Sequence, residues 1–151
     1  MPANRGKEWE NTFQSLCLQQ GIDCVRFYDT LYYDKKGPKN PADFVISRSK
    51  KEPSILIECK VCEKSSFNIK SKFKQLPDLL ELTKFRSYLV IWFSEEKLIY
   101  AIDTVKLNEF CLRGLKTLSP KSVEIYRIPA IKLATEFKRV NPVGLYLDLL
   151  W

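Results

Sequence analysis

The chain has 151 residues and a formal net charge of +7, from 25 Lys and Arg against 18 Asp and Glu, and it contains no histidine. The last fact excludes His-based triads and His-ligated zinc, and leaves Asp, Glu and Lys for any acid–base work. Hydrophobic residues at 45% and charged residues at 28% fit one ordinary globular domain, and the basic excess favours a polyanionic partner, nucleic acid before anionic membrane.

The longest apolar run, residues 88–93, is far too short to span a bilayer. Residues 1–7 have no apolar core behind them, so no secretory leader and no membrane partner are expected. The five cysteines are odd in number, and Cys59-x-x-Cys62 is their one close pair, with no second pair to complete a zinc site. Reduced thiols and a cytoplasmic location are the expectation. Five glycines and the lack of a glycine-rich phosphate loop argue against a nucleotide-binding fold.

In chain order, residues 6–20 read as a helix stopped by Gly21. Trp9, Phe13, Leu16, Cys17 and Gln20 trace its buried stripe, with Glu10 on the flank. Residues 23–29 read as a first strand. Residues 30–40 form a loop or protruding hairpin in which Tyr32 and Tyr33 interleave with Lys35, Lys36 and Lys39, a composition suited to nucleic-acid contact or, equally, to packing on the body of the fold. Pro41 leads into a short strand, 43–46, that begins with an acid, and 48–54 is a polar turn.

Residues 55–60, Ile-Leu-Ile-Glu-Cys-Lys, are β-branched and aliphatic and read as the central strand. Alternation puts Ile55, Ile57 and Cys59 on one face and Leu56, Glu58 and Lys60 on the other. Pairing this strand with 43–46 as a hairpin brings Asp43 towards Glu58 and Lys60. Two carboxylates and a lysine that converge make a site for metal-assisted hydrolysis. Taken alone, a Glu-x-Lys at a strand end is more often a solvated ion pair.

Residues 61–71 read as a polar, basic loop. Ser71 is placed to cap a helix containing Phe73, Leu76, Leu79, Leu80 and Leu82, which Pro77 requires either to begin near Gln75 or to kink. Residues 87–93 and 97–102 read as strands, and Asp103 as the cap of a helix running to Phe110. Residues 122–128 read as a further strand, 130–139 have helical spacing, and the apolar 143–151 packs onto the domain. Three basic clusters flank the acidic centre: Lys35, Lys36 and Lys39; Arg48, Lys50 and Lys51; and Lys60, Lys64, Lys70, Lys72 and Lys74. The order of elements indicates an α/β fold, a single domain with a central mixed β-sheet flanked by helices.

A helix with Glu10, a strand with Asp43 and a strand with Glu58-x-Lys60 resemble the PD-(D/E)xK nuclease superfamily, and within it the RecU-type Holliday junction resolvases. Asn4-Arg5-Gly6-Lys7-Glu8-Trp9-Glu10 looks like the family's opening run. Asp43-Phe44, Glu58-Cys59-Lys60 and Ser66-Phe67 follow in the family's order. Gln75 falls at the distance of the family's metal-site glutamine, and 100–110 is similar to the segment that follows. The family has hydroxyl residues where this chain has Pro41-Ala42, and a long stalk where it has only 30–40.

The resemblance implies a restriction-endonuclease-like fold and a Mg²⁺-dependent endonuclease (Mn²⁺ able to substitute) that resolves four-way DNA junctions as a homodimer. It implies that Asp43, Glu58 and the Cys59 carbonyl hold the metal, that Glu10 completes the acidic site, that Lys60 orients or deprotonates the attacking water, and that Gln75 positions a ligand water. Branched DNA would be held by Arg5, by the tyrosines and lysines of 30–40, and by Lys64, Lys70, Lys72 and Lys74. Two other readings are another PD-(D/E)xK nuclease of restriction or repair type, and a non-catalytic basic DNA-binding module.

Overall fold

In the computed structural model, which describes residues 5–27, 42–134, 136–138, 141–143 and 147–151, the first element is helix α1 (Arg5–Gln19). Trp9, Phe13, Leu16 and Cys17 recur at helical spacing and are buried, with Thr12 beside them. Gln20, expected on the buried stripe, is exposed, and its side chain accepts a hydrogen bond from the Leu147 N–H. Gly21 stops the helix at φ 72°, a conformation that a Cβ would disfavour. The chain then enters β1 (Asp23–Arg26). The 30–40 segment, with Tyr32, Tyr33, Lys35, Lys36 and Lys39, lies outside the described residues.

Strands β2 (Phe44–Ser47) and β3 (Ile55–Cys62) form the expected antiparallel hairpin, with Phe44 opposite Ile57 and Val45 opposite Leu56. β1 pairs antiparallel with the other edge of β2. The next stretch corrects the sequence reading. Val61 and Cys62 still belong to β3, and 61–71 is not a loop but continues into β4 (Phe67–Asn68) and the short helix α2 (Ile69–Lys72). The cap of α2 is Asn68, whose side chain accepts from the Ser71 N–H, so Ser71 is a capped residue and not a cap. Helix α3 (Leu76–Glu81) begins after Gln75, and Pro77 sits in its first turn, where a missing N–H costs no helical bond.

β5 (Arg86–Phe93) runs parallel to β3, and β6 (Leu98–Asp103) returns antiparallel. Asp103 caps α4 (Thr104–Leu112) as expected, its carboxylate accepting from the Val105 and Lys106 N–H groups. β7 (Thr117–Leu118) pairs with β4. Two further expectations fail. Residues 122–128 are not a strand: Ser119 and Ser122 cap one another reciprocally around Pro120 and start helix α5 (Pro120–Ile125). The described residues of 130–139 are not helical: β8 (Ala130–Ala134) pairs with β6, and β9 (Glu136–Lys138) pairs with β10 (Asn141–Val143). The open edge of β6 overrides a weak helical spacing. A 3₁₀ turn, Leu147–Leu150, buries Leu147 and Leu150.

The main sheet has the order β1-β2-β3-β5-β6-β8 and is mixed, since the β3–β5 pair is parallel and its other pairs are antiparallel. Each face has its own core. Trp9 and Phe13 of α1 pack on Phe44, Ile55, Ile57 and Val90, and the Trp9 indole N–H donates to the Val90 carbonyl at 3.4 Å. On the other face Leu56, Leu89 and Ile91 meet Phe73, Leu79 and Leu107. Burial on both faces explains why 87–93 is a continuous apolar run rather than an alternating one. Among the described residues no helix is long and apolar enough to cross a membrane.

Candidate functional site

Asp43 stands one residue before β2, and the antiparallel register carries it opposite Glu58. Its N–H donates to the Ile57 carbonyl at 3.0 Å, and its own carbonyl accepts from the Phe27 N–H at 2.8 Å. That leaves its carboxylate to accept from the Cys59 N–H, at 2.8 Å. The side chain thus takes a place in the ladder that a backbone carbonyl would otherwise fill, and this fixes it beside β3.

Glu58 is 3% exposed. Lys60, one strand period further on, places Nζ 3.5 Å from Glu58 Oε1. Glu10 comes from α1 and hydrogen-bonds the Asp43 carboxyl, which is also hydrogen-bonded to Glu58. Helix, strand start and central strand therefore each bring one carboxyl within electrostatic reach of the others. Burial pushes the Asp43 carboxyl up to about 6, the Glu58 charge adds to this, and the hydrogen bonds with Glu10 and the Cys59 N–H oppose it. Burial also raises Glu58, against the pull of Lys60. The Cys59 thiol is pushed well up, by burial first and by the three neighbouring carboxyls after it.

Arg26 belongs to this group and was read from sequence only as a strand residue. Its guanidinium donates to Glu10 at 3.3 Å and to the Asn11 side chain at 2.7 Å, and lies 5.7 Å from the centroid of the Phe44 ring. An arginine alternating out of the strand that follows an acid-bearing helix was the available signal.

Gln75 precedes α3, between the buried Phe73 and Leu76, in the layer that covers the Leu56 face of the sheet. Its Oε1 is buried and has no hydrogen-bond partner. A buried amide oxygen in that condition calls for a donor or a cation. With the carboxylates of Asp43, Glu58 and Glu10 and the Cys59 carbonyl it makes a set of hard oxygen donors, which fits Mg²⁺ in chemistry. Among the described residues no group of three or more His, Cys, Asp or Glu side chains is spaced as a ready coordination shell. The carboxyls instead lie close enough to influence one another's protonation, with the Glu58 charge raising Asp43 and the Glu10 charge raising Glu58.

Of the residues expected to meet DNA, Lys64, Lys70, Lys72 and Lys74 are exposed. Arg5 is ion-paired with Glu63 at 3.3 Å, both side chains about half exposed. Arg48 is bound up with Glu52, Asp148 and the Trp151 ring. Cys59 and Cys62 project into opposite cores, and all five cysteines are free.

A mixed sheet with helices on both faces, whose central hairpin carries an acid and a Glu-x-Lys, is the restriction-endonuclease-like fold. A solved structure similar to this chain is Hjc of Archaeoglobus fulgidus, a Holliday junction resolvase from an archaeal hyperthermophile. The match has a TM-score of 0.57 at 13% identity and covers 80% of this chain and 93% of that one. At that identity the likeness concerns the fold. No protein-family model matches the sequence, and no curated protein matches it.

Proposed function

We propose that this chain is a metal-dependent endonuclease of the PD-(D/E)xK type that resolves four-way DNA junctions, acting in the cytoplasm as a homodimer whose two sites nick opposed strands. The observation that carries the reading is the meeting of Asp43, Glu58 and Lys60 on one hairpin, with Glu10 brought to them by α1. The order of residues from Asn4 to Gln75, which resembles RecU-type resolvases, and the fold likeness to an archaeal resolvase support the choice of substrate.

Asp43, Glu58 and the Cys59 carbonyl would hold Mg²⁺ or, in its place, Mn²⁺. Glu10 would complete the acidic set, and the orphan Gln75 Oε1 would accept from a ligand water. A divalent cation bound there supplies charge stabilisation to the phosphate under attack. Lys60, held against Glu58, orients the attacking water or takes its proton, and offsets charge on the pentavalent phosphate. Arg26 holds Glu10 in place.

The test is a labelled four-way junction and a linear duplex, each with Mg²⁺ and with chelator. Paired symmetrical nicks in the junction, lost in chelator and lost in Lys60→Ala with DNA binding retained, are expected. Normal cleavage by a folded Lys60→Ala protein rejects the site. Equal cutting of linear duplex rejects junction selectivity and leaves a nuclease of restriction or repair type. Binding without cleavage under any divalent metal leaves a DNA-binding module with structural acids.

A further inference from the structure

Two stretches of the chain carry basic residues and no acid. Residues 64–77 contain Lys64, Lys70, Lys72 and Lys74, and residues 110–123 contain Arg113, Lys116 and Lys121. They are far apart in sequence, and the second drew no functional reading from sequence. The structure joins them. β4 and β7 form a two-stranded ribbon, with Phe67 opposite Leu118 and Asn68 opposite Thr117. The Ile69 N–H continues the ribbon by donating to the Lys116 carbonyl at 3.0 Å. Helix α2 leaves one end of it with Lys70 and Lys72, and α5 leaves the other with Lys121.

Phe67, Ile69, Phe73 and Leu118 are buried beneath the ribbon, while Asn68, Thr117 and the lysines are exposed. The outer surface is therefore cationic and hydrogen-bonding, and its aromatic side chains point inwards. Such a surface holds phosphates. The ribbon itself presents no exposed aromatic ring for base stacking, and the exposed Tyr126 lies beyond it at the end of α5. The ribbon begins five residues beyond the end of β3 and leads through α2 to Gln75, so it borders the strand of Glu58 and Lys60 along the chain.

We propose that the β4–β7 ribbon with its flanking helices is a phosphate-binding surface for a duplex arm of the DNA, with Lys116 and Lys121 as contributors alongside Lys70, Lys72 and Lys74. The inference rests on the nuclease reading above and adds where the uncut part of the substrate lies. The surface is blind to sequence, because it faces phosphates alone.

The experiment is equilibrium binding of fluorescent junction, linear duplex and single-stranded DNA in chelator across a salt series. Wild type is compared with Lys116→Glu/Lys121→Glu and with a charge-matched control, Lys84→Glu/Lys132→Glu, all shown folded by thermal unfolding. The ribbon variant should bind junction and duplex about ten-fold more weakly at low salt, with a salt slope shallower by about 2, from a loss of roughly 0.9 per phosphate contact. The control should change affinity no more than about two-fold for its exposed, scattered charges. An equal loss in variant and control overturns the surface, as does a loss on single strands as large as that on duplex. Failure of the wild type to bind any DNA overturns the nuclease reading together with the surface, so the two failures are distinct.

Discussion

The sheet buries polar side chains at two places and treats them in opposite ways. At the start of β5, Ser87 and the first residue of α4, Thr104, are 4% and 1% exposed, and their hydroxyls share a hydrogen bond at 2.5 Å. Each hydroxyl both donates and accepts, so the pair is neutral and satisfied. Glu58 is buried to the same depth, yet besides Lys60 it faces two further carboxyls, and both it and Asp43 hold protons more tightly than an exposed acid does. Depth of burial is shared. What separates the two places is whether the group can be satisfied from within the chain. The hydroxyl pair is architecture, and the carboxyl cluster carries an electrostatic cost that structure alone does not require.

The comparison breaks most sharply on cleavage. Glu58→Gln and Lys60→Ala should lower the single-turnover cleavage rate by about two to three orders of magnitude or more, the scale of losing a group that stabilises charge in the transition state. Thr104→Val should leave that rate unchanged. If Thr104→Val is as damaging as Glu58→Gln in a folded protein, the two places are not different in kind.

On stability the order reverses. Thr104→Val leaves a buried hydroxyl without its partner and should cost about 1–3 kcal/mol in denaturant unfolding. Asp43→Asn keeps an oxygen for the Cys59 N–H and removes a crowded charge. In chelator at neutral pH it should stabilise the protein by about 2 kcal/mol. Destabilisation by Asp43→Asn under those conditions would show that the carboxyl cluster is structural.

The pH profile sharpens the same point. The Asp43 carboxyl, at about 6, binds its proton more tightly in the folded chain than an unfolded aspartate does. Its stabilising contribution is therefore complete in acid, below the unfolded value, and is lost as pH rises through about 6. In chelator the melting temperature should fall between about pH 4 and 6, against the usual trend for salt-bridged acids, and Asp43→Asn should flatten that fall. The smallest effect belongs to the surface: Arg5→Ala breaks only the half-exposed pair with Glu63 and should shift stability by less than about 0.5 kcal/mol.

Much of this was legible in the sequence because it depends on local pattern. Alternation in 55–60 gave the two faces of β3, the stripe of Trp9 and Phe13 gave α1, and Asp103 marked the start of α4. Asp43, Glu58 and Lys60 follow from one hairpin register, which is why their convergence was visible. The failures lie where distant partners decide. Residues 130–134 become a strand because β6 has an open edge, and 67–68 become one because 117–118 lie alongside. At 122–128 the local pattern misleads: the apolar residues suit a strand, but Ser119-Pro120 and Ser122 are a helix start that makes 120–125 a helix. Arg26 escaped notice because its role rests on Glu10, which comes from another element.

Cys59 makes the central strand observable from outside. Its backbone N–H holds Asp43, while its side chain lies in the α1 core, 7% exposed, and its thiol stays protonated. A thiol in that state reacts with an alkylating reagent only after the strand has parted from its neighbours. Cys24 and Cys111 are half-buried and react at rates set by smaller openings. With the equally buried Cys17 and Cys62 replaced by alanine, the slowest-labelled thiol of the folded protein is Cys59, and it reports the opening free energy of the strand that carries Glu58 and Lys60. Any ligand that bridges Asp43 and Glu58 adds its own binding free energy to that opening, so occupancy of the site is readable as a rate of modification on the opposite face of the sheet, with no nucleic acid present.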